Sequence, residues 1–411
     1  MYNQYNFNWL NKKINSNNYL VVDFYFTSKL PFNEAAHAIA GESSIGTWTK
    51  IGGLTKAQYQ KLSPKIIQQK QKQGIVRIAY PLALFEFNNL PQFLSSIVGN
   101  IFSMKVVEQL RLLSIKFPDQ YLNSFAGPAF GISGIRKLLK IHKRPIIGSI
   151  VKPKVGFNAQ EQADAAYTLW SNGVDVVKDD ENLTSLAFNK FDDRAKYLLL
   201  NLKKAEKKTG QKKMAIINIT APYQEALRRA RLIKKLGGTC MMVDVVAMGI
   251  SAIQSLRQEN LQLVMHGHRA GHSLFTRNEH HGMTMYAYAQ LLRLAGIDQL
   301  HTGTIVGKMD GIKKEIQEID LFLKSKFGKL LPVMPIASGG LHPALITDLI
   351  KYLGNDVIIN FGGGIFGHPS GVAAGAQAAQ AAIMAVSRGI DLKTAAKTHS
   401  FLAEALKFWH N

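Results

Sequence analysis

From residue 145 onward the chain alternates, eight times over, between a short β-branched apolar run and a segment of helical hydrophobic period. The apolar runs fall at 145–154, 174–179, 214–220, 240–246, 263–269, 299–305, 332–338 and 357–364. Stretches such as 161–171, 224–236 and 285–294 carry the helical spacing between them. A strand followed by a helix returns the chain to the same end of a sheet, so successive strands lie parallel. Eight such units close into an α/β structure, a (β/α)8 (TIM) barrel of about 250 residues. The chain of 411 residues has room for that barrel, assigned to 131–411, and for a smaller domain before it.

Residues 1–130 have a different texture and predict an α+β domain with an antiparallel sheet. A strand is expected at 19–27, a helix at 34–42, a strand at 76–84 and a largely helical stretch at 94–112. The Gln- and Lys-rich stretch 58–74 reads as a solvated segment.

Apolar residues make up 46% of the chain and charged residues 19%, enough for a packed core and unlike a disordered composition. The formal net charge of +22 points to an anionic partner. Basic residues are spread along the whole length without an interleaved aromatic platform, which favours a phosphorylated metabolite over nucleic acid. A single cysteine, Cys240, sits in an apolar run, cannot close an intramolecular disulfide and suits a reducing cytoplasm. The start of the chain lacks an apolar signal core, and 371–390 is interrupted by Gln377, Gln380 and Arg388, so neither a signal peptide nor a membrane span is expected.

In such barrels the active site gathers at the C-terminal ends of the strands. The second run ends in Lys178-Asp179-Asp180-Glu181, and two-residue alternation turns Lys178 and Asp180 to one side, with Glu181 brought round by the turn. Two carboxylates alone hold Mg²⁺ poorly, and a neutral lysine that captures CO₂ as a carbamate adds a third anionic oxygen. The first run ends in Lys152-Pro153-Lys154, whose two ammonium groups are expected to point together into the barrel mouth with lowered pKa values. The fifth carries His266-Gly267-His268-Arg269 and the sixth His301, a set that can also bind zinc. An amidohydrolase-like barrel, however, has its His-x-His on the first strand and its lysine on the fourth. Glycine turns at Ser338-Gly339-Gly340 and Gly362-Gly363-Gly364 follow the last two runs, where barrels commonly cradle phosphate.

Taken in order, these motifs resemble the ribulose-1,5-bisphosphate carboxylase (RuBisCO) large subunit over essentially the whole chain. The segments that carry the resemblance are Gly-Ser-Ile-Val-Lys152-Pro-Lys154, Gly173-Val-Asp-Val-Val-Lys178-Asp-Asp180-Glu181, His268-Arg269-Ala-Gly-His272 and His301-Thr-Gly-Thr-Ile-Val-Gly-Lys308. Glu42-Ser-Ser-Ile-Gly-Thr47-Trp48 and the segment around Asn100 resemble the parts of the first domain that complete a partner's site, which implies a homodimer. The resemblance implies Mg²⁺ held by carbamylated Lys178, Asp180 and Glu181, with Lys152, Lys154, His268, Lys308, Glu42 and Asn100 as further catalytic residues. It places Thr47, Trp48, Lys308, Gly339, Gly340, Gly362 and Gly363 about one phosphate, Arg269 and His301 about the other, and Ser338 near the sugar hydroxyls.

Asp310 stands where the family's sixth loop usually has glutamate, and Gly271 where methionine is common. Short ends resemble the compact form III branch, which works without a small subunit. Carbon dioxide fixation on ribulose 1,5-bisphosphate is the implied lyase reaction. The alternative within the superfamily is a RuBisCO-like enolase or isomerase acting on 2,3-diketo-5-methylthiopentyl-1-phosphate, but such proteins typically lose residues retained here as Lys308, Glu42 and Asn100. A non-catalytic anion-binding protein would give Lys178 no role.

Overall fold

The structure is a computed structural model, and it describes residues 9–10, 13–47, 52–306 and 313–409. Its strands, in chain order, are β1 (Tyr19–Ser28), β2 (Lys65–Lys70), β3 (Ile75–Pro81), β4 (Val107–Lys116), β5 (Ile146–Ile150), β6 (Val176–Lys178), β7 (Met214–Asn218), β8 (Cys240–Asp244), β9 (Val264–His268), β10 (Gly282–Met283), β11 (Gln299–Gly303), β12 (Met334–Ser338) and β13 (Ile358–Phe361). The chain divides into two compact units. One comprises Met1–Ala126, Gly271–Ala295 and Phe327–Leu330; the other comprises Gly127–Ala270, Gly296–Lys326 and Leu331–Asn411.

The first unit is built on a five-stranded sheet in the order β10-β4-β1-β3-β2, antiparallel except for the β10–β4 pair. On β1, Leu20, Val22, Phe24 and Phe26 alternate into the core, as a half-buried strand requires. On the same strand Asp23 accepts two hydrogen bonds from Arg77, at 2.6 and 2.8 Å, across the β1–β3 pair. The helix Phe32–Glu42 buries Ala35, Ala36, Ile39 and Ala40.

Two expectations for this unit are corrected. Of the largely helical stretch expected at 94–112, the helix Leu90–Ile97 takes in only the first four residues, a 3-10 turn follows at Asn100–Ser103, and Val107–Lys116 is β4. Leu110 and Leu112 lie two apart and both are buried, a period of two that a window centred on the preceding helix obscures. The stretch 58–74 is not merely solvated: it holds most of the helix Lys56–Leu62 and all of β2, an edge strand that buries Ile66 and keeps Gln68 and Lys70 exposed.

The second unit is a closed, all-parallel barrel in the order β5-β6-β7-β8-β9-β11-β12-β13, with β13 pairing back to β5. All eight apolar runs read from the sequence contain one of these strands. Every residue of β5, β7 and β8 is buried, which is why those runs read as continuous rather than alternating. The amphipathic helix Gly131–Leu139 turns Ile135 and Leu139 onto an interior layer that includes Ile146, Val176, Met214, Cys240, Val264, Met334 and Ile358. That layer seals the N-terminal end of the barrel and leaves the C-terminal end to carry chemistry. Among the described residues no helix is long and apolar enough to cross a membrane.

Candidate active site

The pleat of β6 separates two kinds of acidic residue. Asp179 turns outward, where it accepts hydrogen bonds from Arg194 Nε at 3.0 Å, Asn218 N at 3.1 Å and Gln162 Nε2 at 3.3 Å. Anchored in this way, it fixes the backbone from which Lys178 and Asp180 turn inward. Asn218 Nδ2 adds hydrogen bonds to the carbonyls of Asp180 and Glu181, at 3.2 and 3.0 Å, and so holds the turn that brings Glu181 back.

Lys178 is 2% exposed. Its Nζ donates to the Asp179 carbonyl at 2.8 Å and lies 3.9 Å from Glu181 Oε2. Burial, with help from Lys152, draws its pKa down to about 8 against the opposing pull of Glu181, Asp180 and Asp179. The lysines at the end of the first barrel strand meet the same acids: Lys152 Nζ donates to Asp180 Oδ2 at 3.2 Å and Lys154 Nζ to Glu181 Oε1 at 3.1 Å. Both do turn to one side, as their spacing predicts. The expected fall in pKa does not hold for Lys154, whose side chain is 55% exposed; its hydrogen bond to Glu181 raises the pKa instead. Burial opposes charge on the Glu181 carboxyl, but its cationic neighbours outweigh burial and hold it below the ordinary carboxylate range.

Beside this cluster, His268 ends β9, and His266 and His301 lie midway along β9 and β11. His266 Nδ1 is 2.9 Å from Gln299 Oε1, His266 Nε2 is 3.0 Å from His301 Nε2, and His301 Nδ1 is 2.9 Å from Ser338 Oγ. One directional chain satisfies all three contacts with neutral rings. Ser338 donates to His301, His301 Nε2–H to His266, and His266 Nδ1–H to Gln299. Burial lowers His266 to about 3 and puts His301 well below the usual histidine range, in agreement with that assignment. His268, also lowered by burial, lies 3.6 Å from Glu181 Oε2. No group of three or more His, Cys, Asp or Glu among the described residues is arranged to hold a metal, so zinc on the histidines is not what this geometry offers.

Arg269 follows His268, and burial lowers its guanidinium to about 10. It lies so close to Gly303 that a Cβ there would stand 2.5 Å from Nη2, while a φ of +100° independently demands glycine. The two glycine turns are held against each other: a Cβ on Gly364 would meet the Leu341 carbonyl at 2.0 Å. Gly339 and Gly340 take left-handed φ values of +116° and +72°, and Gly363 faces open space. Lys152 passes Gly362 closely enough that a Cβ there would stand 3.5 Å from Lys152 Cε.

In the first unit, Asn100 Nδ2 lies 3.4 Å from Glu42 Oε1, so residues 58 positions apart come together. Thr47 is partly exposed at the end of a described segment. Trp48 and Lys308 lie outside the described residues.

Sequence reading missed Asp244, the last residue of β8, which is in register with His268. It is 9% exposed, its Oδ1 has no hydrogen-bond partner, and burial together with Glu181 raises its pKa to about 6. The signal was available, since Cys-Met-Met-Val-Asp ends a buried run in an acid just as the second run does. The anchoring role of Asp179 and Arg194 was also missed, because a partner 15 residues away on the next helix has no sequence mark.

The donor set fits a hard divalent ion on one condition. Asp180 and Glu181 supply two carboxylates near the buried Lys178 amine, and a carbamate on that amine would add the third oxygen donor that a hard divalent ion needs.

Two family models match the chain. That of the ribulose bisphosphate carboxylase large chain, catalytic domain, covers residues 131–409, and that of the N-terminal domain covers 9–121. The ribulose bisphosphate carboxylase of Methanocaldococcus jannaschii is 46% identical over 395 residues, 91% of this chain and 93% of the relative. That of Pyrococcus abyssi is 46% identical over 394 residues, 95% of this chain and 93% of the relative. Among solved structures, the octameric enzyme of Pyrococcus horikoshii superposes with a TM-score of 0.94 at 43% identity, covering 97% of this chain and 95% of the other. The dimeric archaeal Rubisco of Hyperthermus butylicus superposes with a TM-score of 0.92 at 37% identity, covering 98% of each chain. The chain is therefore a member of the ribulose bisphosphate carboxylase large-chain family, in its N-terminal and its catalytic domain alike.

Proposed function

We propose that the protein carboxylates ribulose 1,5-bisphosphate and cleaves the product to two molecules of 3-phosphoglycerate, passing through an enediolate. The observation that carries this reading is the Lys178 amine, buried 3.9 Å from Glu181 Oε2 with a pKa near 8. An ordinary lysine, with a pKa of about 10.4, is almost wholly protonated near neutral pH, and the ammonium form does not react with CO₂. Once bound, CO₂ on Lys178 supplies an anionic oxygen and a base for the C3 proton, and Mg²⁺ on Lys178, Asp180 and Glu181 supplies Lewis-acid stabilisation of the developing oxyanion.

The chain's own side chains bind and orient the substrate. Arg269 and His301 take one phosphate, which requires His301 to exchange one of its ring contacts, to Ser338 or to His266, for the ligand. Thr47, Trp48 and Lys308, with the backbone of Gly339, Gly340, Gly362 and Gly363, take the other. Ser338, already hydrogen-bonded to His301, meets the sugar hydroxyls. Lys154, paired with Glu181, assists at the carbamate, and Lys152 delivers the final proton to carbon. His268 lies beside Glu181 as a further proton carrier. Lys308 closes over the added carboxylate and excludes water.

In this reading residues 1–130 form the domain whose Glu42 and Asn100 complete the partner's site in a homodimer, and 131–411 form the catalytic barrel. Assembly needs no small subunit, and a reducing cytoplasm suits the buried free thiol of Cys240. The test is incubation with ribulose 1,5-bisphosphate, Mg²⁺ and labelled bicarbonate. Labelled 3-phosphoglycerate is expected; substrate proton exchange without labelled product would assign the chain to the enolase alternative.

A further inference from the structure

At the end of the barrel where β5, β6 and β7 begin, remote from the cluster around Lys178, lies a cavity of about 640 Å³. That volume is within the usual range for small-molecule sites, roughly 300–1,000 Å³. Lys140, Lys143, Arg144, Lys212 and Arg388 line it, with Asp175 as its carboxylate. Asp175 is already engaged: Arg144 donates to its two oxygens at 2.6 and 2.9 Å, and Ile147 N donates at 2.8 Å. Lys212 is paired with Glu206 at 3.3 Å. Lys140, Lys143 and Arg388 are left with no acidic partner among the described residues.

Cations gather at helix C-termini to offset the dipole, and three helices, Gly131–Leu139, Phe191–Thr209 and Gly371–Ser387, end at this wall. Their ends carry roughly half a negative charge each, about 1.5 in total, so three unpaired cations exceed them by roughly 1.5. That excess is close to the charge of a phosphomonoester, about −1.5 to −2 near neutral pH. The wall also holds Ser387, whose Oγ is buried without a hydrogen-bond partner among the described residues. Leu139, Ile141 and Met384 supply an apolar wall beside it.

We propose that this cavity is a second ligand site, which binds a small phosphomonoester with an apolar carbon body. Lys140, Lys143 and Arg388 hold the phosphate, and the apolar wall takes the body.

The test is calorimetric titration of the full chain with phenyl phosphate and with inorganic phosphate at fixed ionic strength. The variant Lys143→Glu/Arg388→Glu should bind phenyl phosphate at least roughly tenfold more weakly than wild type, with carboxylation kinetics unchanged. A control of equal charge change, Lys196→Glu/Lys235→Glu, on exposed positions outside the cavity, should stay within about twofold of wild type. Phenyl phosphate should bind at least about fivefold more tightly than inorganic phosphate. Equal weakening by the control would reduce the site to general charge attraction and overturn the proposal, as would the absence of saturable binding to wild type. Equal affinity for the two probes would overturn the assignment of an organic body.

Discussion

Lys178 Nζ stands 3.9 Å from Glu181 Oε2, inside a wall that leaves the lysine 2% exposed. Desolvation exceeds the attraction of the neighbouring carboxylates, and the amine's pKa falls to about 8. A lowered lysine pKa means the proton leaves at lower pH, so the CO₂-reactive neutral fraction rises with pH. At pH 7 that fraction is roughly a tenth, some hundredfold or more above an ordinary lysine. Activation by CO₂ and Mg²⁺, assayed after preincubation at fixed dissolved CO₂, is expected to rise about tenfold per pH unit below pH 8 and to level off above it. A pH-independent activation between 6.5 and 8.5 would contradict the role given to burial. The same shift favours folding as pH rises from about 8 toward the unfolded value, because there the unfolded chain holds a proton that the folded chain has lost.

Lys308→Ala is expected to abolish carboxylation while leaving exchange of the substrate C3 proton measurable. The two steps are read separately, by labelled bicarbonate and by solvent tritium. Carboxylation that survives the substitution would show that closure over CO₂ does not depend on this side chain.

Arg194 and Asp179 form an ion pair with side chains 0% and 1% exposed. Arg194→Met leaves the Asp179 charge buried without its partner and should cost about 3–5 kcal/mol in denaturant unfolding. Replacing both residues, Arg194→Met with Asp179→Leu, should recover much of that stability but not activity, because the anchor that sets Lys178 and Asp180 is gone. Full activity in the stable double variant would mean that Asp179 does not orient the site.

If Asn100 of one subunit serves the barrel of another, two inactive variants should complement. Mixing Asn100→Ala and Lys178→Ala subunits after reversible dissociation should restore roughly a quarter of wild-type activity, since half the dimers are mixed and each has one intact site. Continued inactivity, with mixed dimers verified by mass spectrometry, would place each site within a single chain.

The barrel was legible because its strands are buried on both faces, so runs such as Cys240–Asp244 read as unbroken apolar blocks between helices. The end of β6 was legible because Lys178, Asp179, Asp180 and Glu181 are consecutive and a pleat sorts them. Less was readable where a neighbour decides the outcome. Arg194 reaches Asp179 only after its helix packs, and Lys154 gains charge stability from Glu181 rather than losing it to Lys152. β2 was lost among glutamines and lysines because an edge strand needs only one deeply buried side chain, here Ile66. The first part of β4, 107–112, was read into a largely helical stretch because its alternation begins only four residues after the turn Asn100–Ser103 that follows the helix Leu90–Ile97.

The most direct measurement is ¹³C NMR of the protein incubated with ¹³C-bicarbonate and Mg²⁺, beside the Lys178→Arg variant, which keeps a positive charge but cannot capture CO₂. A carbamate resonance that tracks activity in the unaltered chain, with both signal and activity absent from Lys178→Arg, is the predicted result. An active Lys178→Arg variant, or a fully active protein without the resonance, would contradict the account.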